Sequence, residues 1–146
     1  MTTWEFKLVE DILFMYPEVC LQAEIRRVFL ANKSINREPG VNVQGGSGIN
    51  IIEAYAMNDD RMLQAMDRYI SRIESALIKL RYEDVSFVKG YYFEGKKYPE
   101  LSRELLRWKR RQVCQKLLSS VISLMPARQN IKAYQKEMRD IAIERR

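Results

Sequence analysis

The sequence predicts an all-α protein: an N-terminal helical hairpin, a long central helix, and a C-terminal helix-turn-helix followed by a terminal helix. Three observations predict it. Apolar residues recur at three- and four-residue spacing through almost every segment, the mark of one-sided helices. A single glycine-rich stretch, SINREPGVNVQGGSGIN, interrupts that spacing. Two short helical patterns and a longer third then follow one another closely near the C-terminus.

The chain has 146 residues, 47% hydrophobic and 30% charged, enough apolar surface for one folded domain. It contains no histidine. That removes imidazole acid–base chemistry, histidine-activated nucleophiles and most zinc sites. Cys20 and Cys114 lie far apart within helical patterns, so free thiols in a reducing compartment are expected. No window approaches the roughly 18 consecutive apolar residues of a membrane span. The opening stretch, MTTWEFKLVEDILFMY, carries Glu5, Glu10 and Asp11 and lacks the basic lead of a signal peptide. The expectation is a cytoplasmic chain that is not an enzyme, needs no cofactor or metal, and has no membrane partner.

Along the chain, residues 1–32 read as a helical hairpin. WEFKLVEDILFMY places Trp4, Leu8, Ile12 and Met15 on one stripe, with Val9 and Leu13 beside it. Pro17 suits the first turn of a second helix, where its missing N–H costs nothing, and Leu21, Ile25, Val28 and Phe29 then share one side. Residues 33–50 read as a flexible glycine-rich loop. A phosphate-cradling loop is excluded there, because no strand precedes it and no Gly-Lys-Ser/Thr follows.

Residues 51–84 read as a long helix that can mediate oligomerisation. Met62, Met66, Tyr69, Ile70, Ile73, Leu77 and Leu80 form its apolar side, and Asn58, Asp59 and Asp60 suit an N-terminal cap. Residues 126–146 form the terminal helix, with Ile131, Tyr134, Met138, Ile141 and Ala142 on one face.

Charge singles out the segment in between. Residues 96–116, KKYPELSRELLRWKRRQVCQK, hold eight Lys or Arg against two Glu, a net of +6. The whole chain, with 25 cationic and 19 anionic side chains, is also +6, so this block carries the entire imbalance. Within 85–125 the reading is a first helix over DVSFVKGYYFEG and a second over KKYPELSRELL, with Pro99 at its first position. A third, RWKRRQVCQKLLSSVISLM, is stopped by Pro126. Val113, Leu117, Val121 and Leu124 make one apolar row of that third helix, and Cys114, Leu118, Ile122 and Met125 the adjacent row. Arg111, Gln112, Gln115, Lys116, Ser119 and Ser123 remain outside, with no acid among them.

Those outward side chains are of the kinds that read base edges in a major groove, Arg and Lys at guanine and Gln at adenine. Arg111, Gln112, Gln115, Lys116 and Ser119 are therefore the candidate base contacts. Lys96, Lys97, Arg103, Arg107, Lys109 and Arg110 are the candidate phosphate contacts.

At these residues the chain resembles sigma-factor region four. More closely, YYFEGKKYPELSRELLRWKRRQVCQKLL is similar to the C-terminal half of phage late-transcription regulators of the RinA/ArpU type. In that family a Tyr/Phe-rich helix end, Glu-Gly and an aromatic precede a Glu-Leu-Ser helix, a turn and a Val-centred recognition helix. Two positions depart from the pattern. Arg107 stands where the turn usually has Gly or Asn, and Lys109 where the recognition helix usually has a Ser or Thr cap.

The resemblance implies a sequence-specific regulator of double-stranded DNA that activates late genes in a bacterial host, nucleoid-associated, using a recognition helix at about 110–125. It also implies contact with host RNA polymerase and a homo-oligomer. A small DNA-packaging subunit of the terminase type, or a helical protein-interaction module that does not bind DNA, are the competing expectations.

Overall fold

The computed structural model describes residues 1–35 and 46–144, with side chains at 1–32 and 60–140. Every regular element among them is helical, as the periodicity requires. Helix α1 spans Thr3–Ile35, α2 Gly46–Ile78 and α3 Tyr82–Val88. A π-helical turn, Lys89–Phe93, extends α3. Helix α4 spans Arg103–Val121, a 3-10 turn covers Ile122–Leu124, and α5 runs over Met125–Glu144.

The N-terminal 32 residues are one helix, not a hairpin. A reciprocal cap starts α1: the Glu5 N–H donates to Thr2 Oγ1 at 3.1 Å, and the Thr2 N–H donates to Glu5 Oε1 at 2.8 Å. Pro17 lies inside the helix. An interior proline removes one hydrogen bond and costs about 3 kcal/mol, but no Gly or Asn stands beside it to turn the chain. Core packing continues on both sides of the break, with Ile12 and Leu13 before it and Val19 and Ala23 after it, all fully buried. That continuity outweighs the lost bond. The hairpin that does form pairs α1 with α2 antiparallel, shown by Tyr16 donating to Glu74 at 2.9 Å and Arg27 to Asp67 at 3.0 Å.

The long helix also differs in extent. It begins at Gly46 and ends at Ile78, so Asn58–Asp60 lie within it rather than capping it. Of the expected 33–50 loop, residues 36–45 fall outside the described residues, while 33–35 close α1 and 46–50 open α2. Met66, Tyr69, Ile73 and Leu77 are buried as their spacing requires. The Tyr69 hydroxyl donates to the Ile12 carbonyl at 2.6 Å, tying α2 to α1 near the proline.

Helix α4 lies against α1 and α2 through Val113, Cys114, Leu117 and Val121, all essentially without solvent exposure. Pro126 falls in the first turn of α5, after the 3-10 turn that ends the α4 rod. Helix α5 is held to α1 by Arg128 on Asp11 at 3.0 Å and by Gln135 on Gln22 at 2.8 Å. On its expected face Ile131 is buried, Tyr134 half-buried and Met138 exposed; the side chains of Ile141 and Ala142 lie outside the described residues.

The aromatic run after α3 fills the remaining corner. Tyr92 meets Phe14 edge-on with centroids 4.8 Å apart, Tyr91 stacks on Phe87 at 5.5 Å, and Phe93 stacks on Tyr16 at 4.4 Å. Gly95, at φ +67°, turns the chain out of this helix. The Lys96 N–H returns to the Gly90 carbonyl at 2.8 Å, one residue wider than the usual glycine-terminated cap, as a π-helical turn requires.

Candidate nucleic-acid interface

The second and third helices expected within 85–125 are a single rod. Tyr98–Leu101 forms a turn, closed by the Leu101 N–H on the Tyr98 carbonyl at 3.1 Å. Pro99 belongs to that turn. Ser102 is the true cap, its hydroxyl accepting from the Leu105 N–H at 3.1 Å. From Arg103 the helix runs to Val121 through Arg107, Trp108 and Lys109 without a break. The reason is local: no residue there favours positive φ and none caps a new helix, while Arg, Leu and Lys are good helix formers. Trp108 projects outward and is 59% exposed.

The eight cations of the basic segment divide into two groups. The first is bound internally. Asp84, in the first turn of α3 and 4% exposed, accepts from Lys109 Nζ at 2.6 Å and from Lys116 Nζ at 2.8 Å. Burial by itself would raise the Asp84 carboxyl. Hydrogen bonds from Lys109 and Lys116, with their charges, outweigh it and hold the group below the ordinary carboxylate range.

Glu10, 9% exposed, takes both arms of Arg110: Nε to Oε2 at 2.9 Å and an Nη to Oε1 at 2.7 Å. That fork keeps the guanidinium protonated beyond its ordinary range. The Tyr92 hydroxyl donates to the same Glu10 Oε2 at 2.7 Å and lies 3.5 Å from Cys114 Sγ. With the tyrosine proton spent on Glu10, the thiol donates to the tyrosine oxygen. Burial pushes the Cys114 thiol up to about 12, and burial likewise raises Tyr92 above the ordinary phenol range.

Arg111 is half-buried with its guanidinium 5.4 Å from the Phe6 ring centre. Gln112 is half-buried too, and its Oε1 is out of solvent with no partner in the structure.

The second group faces solvent. Lys96 and Lys97 sit on the strap after Gly95, and Arg103 and Arg107 are one turn apart at the start of α4. None of the four takes part in a described ion pair. Gln115 and Ser119, also one turn apart, are exposed on the outer face of α4.

Among the candidate phosphate contacts, the structure leaves Lys96, Lys97, Arg103 and Arg107 available and commits Lys109 and Arg110 to buried acids. Among the candidate base contacts it leaves Gln115 and Ser119 open. It partly commits Arg111 and Lys116 and turns the Gln112 oxygen inward.

The two acids that organise the site, Glu10 and Asp84, were not singled out by sequence reasoning. Glu10 had a usable signal, since it shares an apolar stripe of α1 with Phe6 and Leu13. Asp84 had none, because an acid in a first helical turn is ordinary.

An open groove of about 440 Å³ lies between α3, the strap and the start of α4, with Tyr82, Phe87, Tyr98, Leu105 and Trp108 among its lining residues. Tyr82 is 85% exposed and Leu105 55%. The described residues hold no cluster of metal-ligating side chains, and no described helix is long and apolar enough to cross a membrane. Comparison with family models, curated proteins and solved structures finds no match to this chain.

Proposed function

We propose that the chain binds double-stranded DNA as a phage-type transcription regulator, and that it does so without catalysis. One observation carries this reading. Lys96, Lys97, Arg103 and Arg107 stay exposed with no described acidic partner, while other cations of the same segment are held by Glu10 and Asp84. Exposed cations that the fold leaves unneutralised are suited to phosphates. Beyond it, the outer face of α4 offers Gln115 and Ser119, with Arg111 and Lys116 at its sides. These are side chains that suit base edges when a helix enters a major groove.

Activation of late genes, association with the nucleoid and contact with host RNA polymerase follow from the family resemblance and belong to this proposal. So does assembly of two copies on adjacent half-sites, which raises affinity through effective concentration. A second reading, a helical protein-interaction module, is favoured by the exposed apolar groove around Leu105 and Trp108.

Binding-site selection from random duplex DNA at about 150 mM salt tests the proposal, because weak electrostatic association is suppressed there. The expected result is an enriched motif. Affinity should fall with salt at a log–log slope of about −3 to −4 if four phosphates are contacted. Arg103→Ala and Arg107→Ala should each flatten that slope by about 1. No enrichment, with a slope indifferent to both substitutions, would leave the protein-interaction reading in its place.

A further inference from the structure

An open pocket of about 490 Å³ lies where α1, the π-helical turn, the strap and α4 meet. Its apolar walls include Phe14 from α1, Tyr91 from the turn, Tyr98 from the strap and Leu106 from α4. Phe14 is 49% exposed, although its ring already meets Tyr92 edge-on. Tyr91 and Tyr98 are half-buried. Three rings from three separate elements thus border one space that the fold itself does not fill.

The charges bordering this space have one sign. Lys96 and Lys97 line it, and no acidic side chain does. Glu94 and Glu100, the acids nearest along the strap, are not among its walls. Lys97 is exposed and takes part in no described ion pair. The Lys96 ammonium lies 5.6 Å from the centre of the Tyr98 ring, a contact that leaves its charge unneutralised.

The frame is held in place. Tyr98 packs on Phe87 with centroids 5.4 Å apart, and its hydroxyl lies so close to Gly90 that a Cβ there would collide with it. The strap is pinned at both ends of the lysine pair. The Lys96 N–H donates to the Gly90 carbonyl at 2.8 Å, and the Leu101 N–H to the Tyr98 carbonyl at 3.1 Å. Walls already in place lower the cost of binding. The π-helical turn, a rare element that recurs at functional sites, contributes Tyr91 to them.

We infer that this pocket takes one nucleotide of a single-stranded DNA, with its base against the aromatic walls and its phosphate on Lys96 and Lys97. Aromatic walls select a flat π-face without choosing among bases, and the lysines select an anion joined to it. A strand fits better than a free nucleotide because exposed cations continue beyond the pocket. Arg103 stands close to one turn before Leu106 on α4, and Arg107 directly follows Leu106. The pocket adds a single-stranded site to the duplex-binding reading and does not depend on it.

Fluorescence anisotropy of an end-labelled dT strand of about ten nucleotides, titrated with the full chain at about 100 mM salt, is the first test. A strand of the same length without bases should bind about five-fold more weakly or worse, because base stacking is then lost. Equal binding of the two would overturn the inference, since charge alone would explain it. Free dTMP should displace the dT strand only in large excess. Displacement at equal concentration would overturn the strand as occupant, and displacement by an alternating Glu-Phe peptide would overturn nucleic acid altogether.

Phe14→Leu keeps an apolar side chain but removes a ring. It should weaken the dT strand about five-fold and leave the base-free strand and duplex DNA unchanged. Lys132→Ala, which removes an exposed cation on α5, should change neither strand. An unchanged dT affinity in folded Phe14→Leu would overturn the site. Photo-cross-linking of 5-iododeoxyuridine in the strand to the unaltered chain checks the same point without a variant. Adducts are expected at Phe14, Tyr91 or Tyr98, and adducts only elsewhere would overturn the pocket. Enrichment of a duplex motif with no dT binding would remove this pocket alone, and the reverse would remove only the duplex reading.

Discussion

Arg110 closes both carboxylate oxygens of Glu10, one hundred residues away in the chain, through two hydrogen bonds of 2.9 and 2.7 Å. The contact makes the middle of the basic segment part of the core scaffold. Glu10 receives a third bond from Tyr92, so α1, the π-helical turn and α4 converge on one carboxylate. A charge so nearly buried is tolerable only while its partners stay in place.

Removing Arg110 should therefore act on stability before anything else. Arg110→Met leaves the nearly buried Glu10 side chain with only Tyr92 as a partner, and about 3 kcal/mol should be lost. Glu10→Gln keeps the shape and part of the hydrogen bonding and should cost less. Urea unfolding followed by circular dichroism measures both, and the order of the two losses is the point at issue.

Asp84 gives the fold an acid-sensitive joint. Its folded pKa lies below the unfolded one, so its contribution is fully present above the unfolded carboxylate range. It is lost as pH falls through the folded value. Asp84→Asn should be less stable at pH 7, by about 1–3 kcal/mol, because two charge-assisted bonds are weakened. The same variant should lose less further stability between pH 5 and pH 2 than the parent does. Unfolding midpoints across that range decide it.

Gly95 tests backbone alone. Its φ is +67° and no atom stands within 4 Å of where a Cβ would be, so Gly95→Ala meets strain without any clash. A loss of about 1–2 kcal/mol is expected, with Gly95→Asn milder, since Asn tolerates this region better. Thermal unfolding of the pair against the parent supplies the comparison.

The two thiols should react unequally. Cys114 is fully buried, with its thiol pushed up to about 12. Cys20 is only partly covered, though burial raises it as well. At pH 8 one thiol per folded chain should react with a disulfide reagent, slowly, and mass mapping should place it at Cys20. The second should appear only in denaturant.

Much of this architecture was legible in the residues. The helical class followed from apolar spacing, and the buried row Val113, Leu117, Val121 and Leu124 sits where its period put it. The concentration of charge around α4 was visible from composition, whereas the caps at Thr2 and Ser102 were not named, the second of them because Pro99 reads as the helix start. These are local properties, set by neighbours within a turn or two.

The expected turn at Arg107–Lys109 does not form for a local reason, since nothing there breaks the helix. Two things were decided only by tertiary packing. Pro17 was read as a helix start, but burial on both sides of it keeps α1 continuous, and that continuity turns Leu21, Ile25 and Val28 outward. Above all, sequence could count the cations but could not say which were free. Glu10 and Asp84 reach Arg110, Lys109 and Lys116 from far along the chain, and a charge is neutralised by what lies beside it in space.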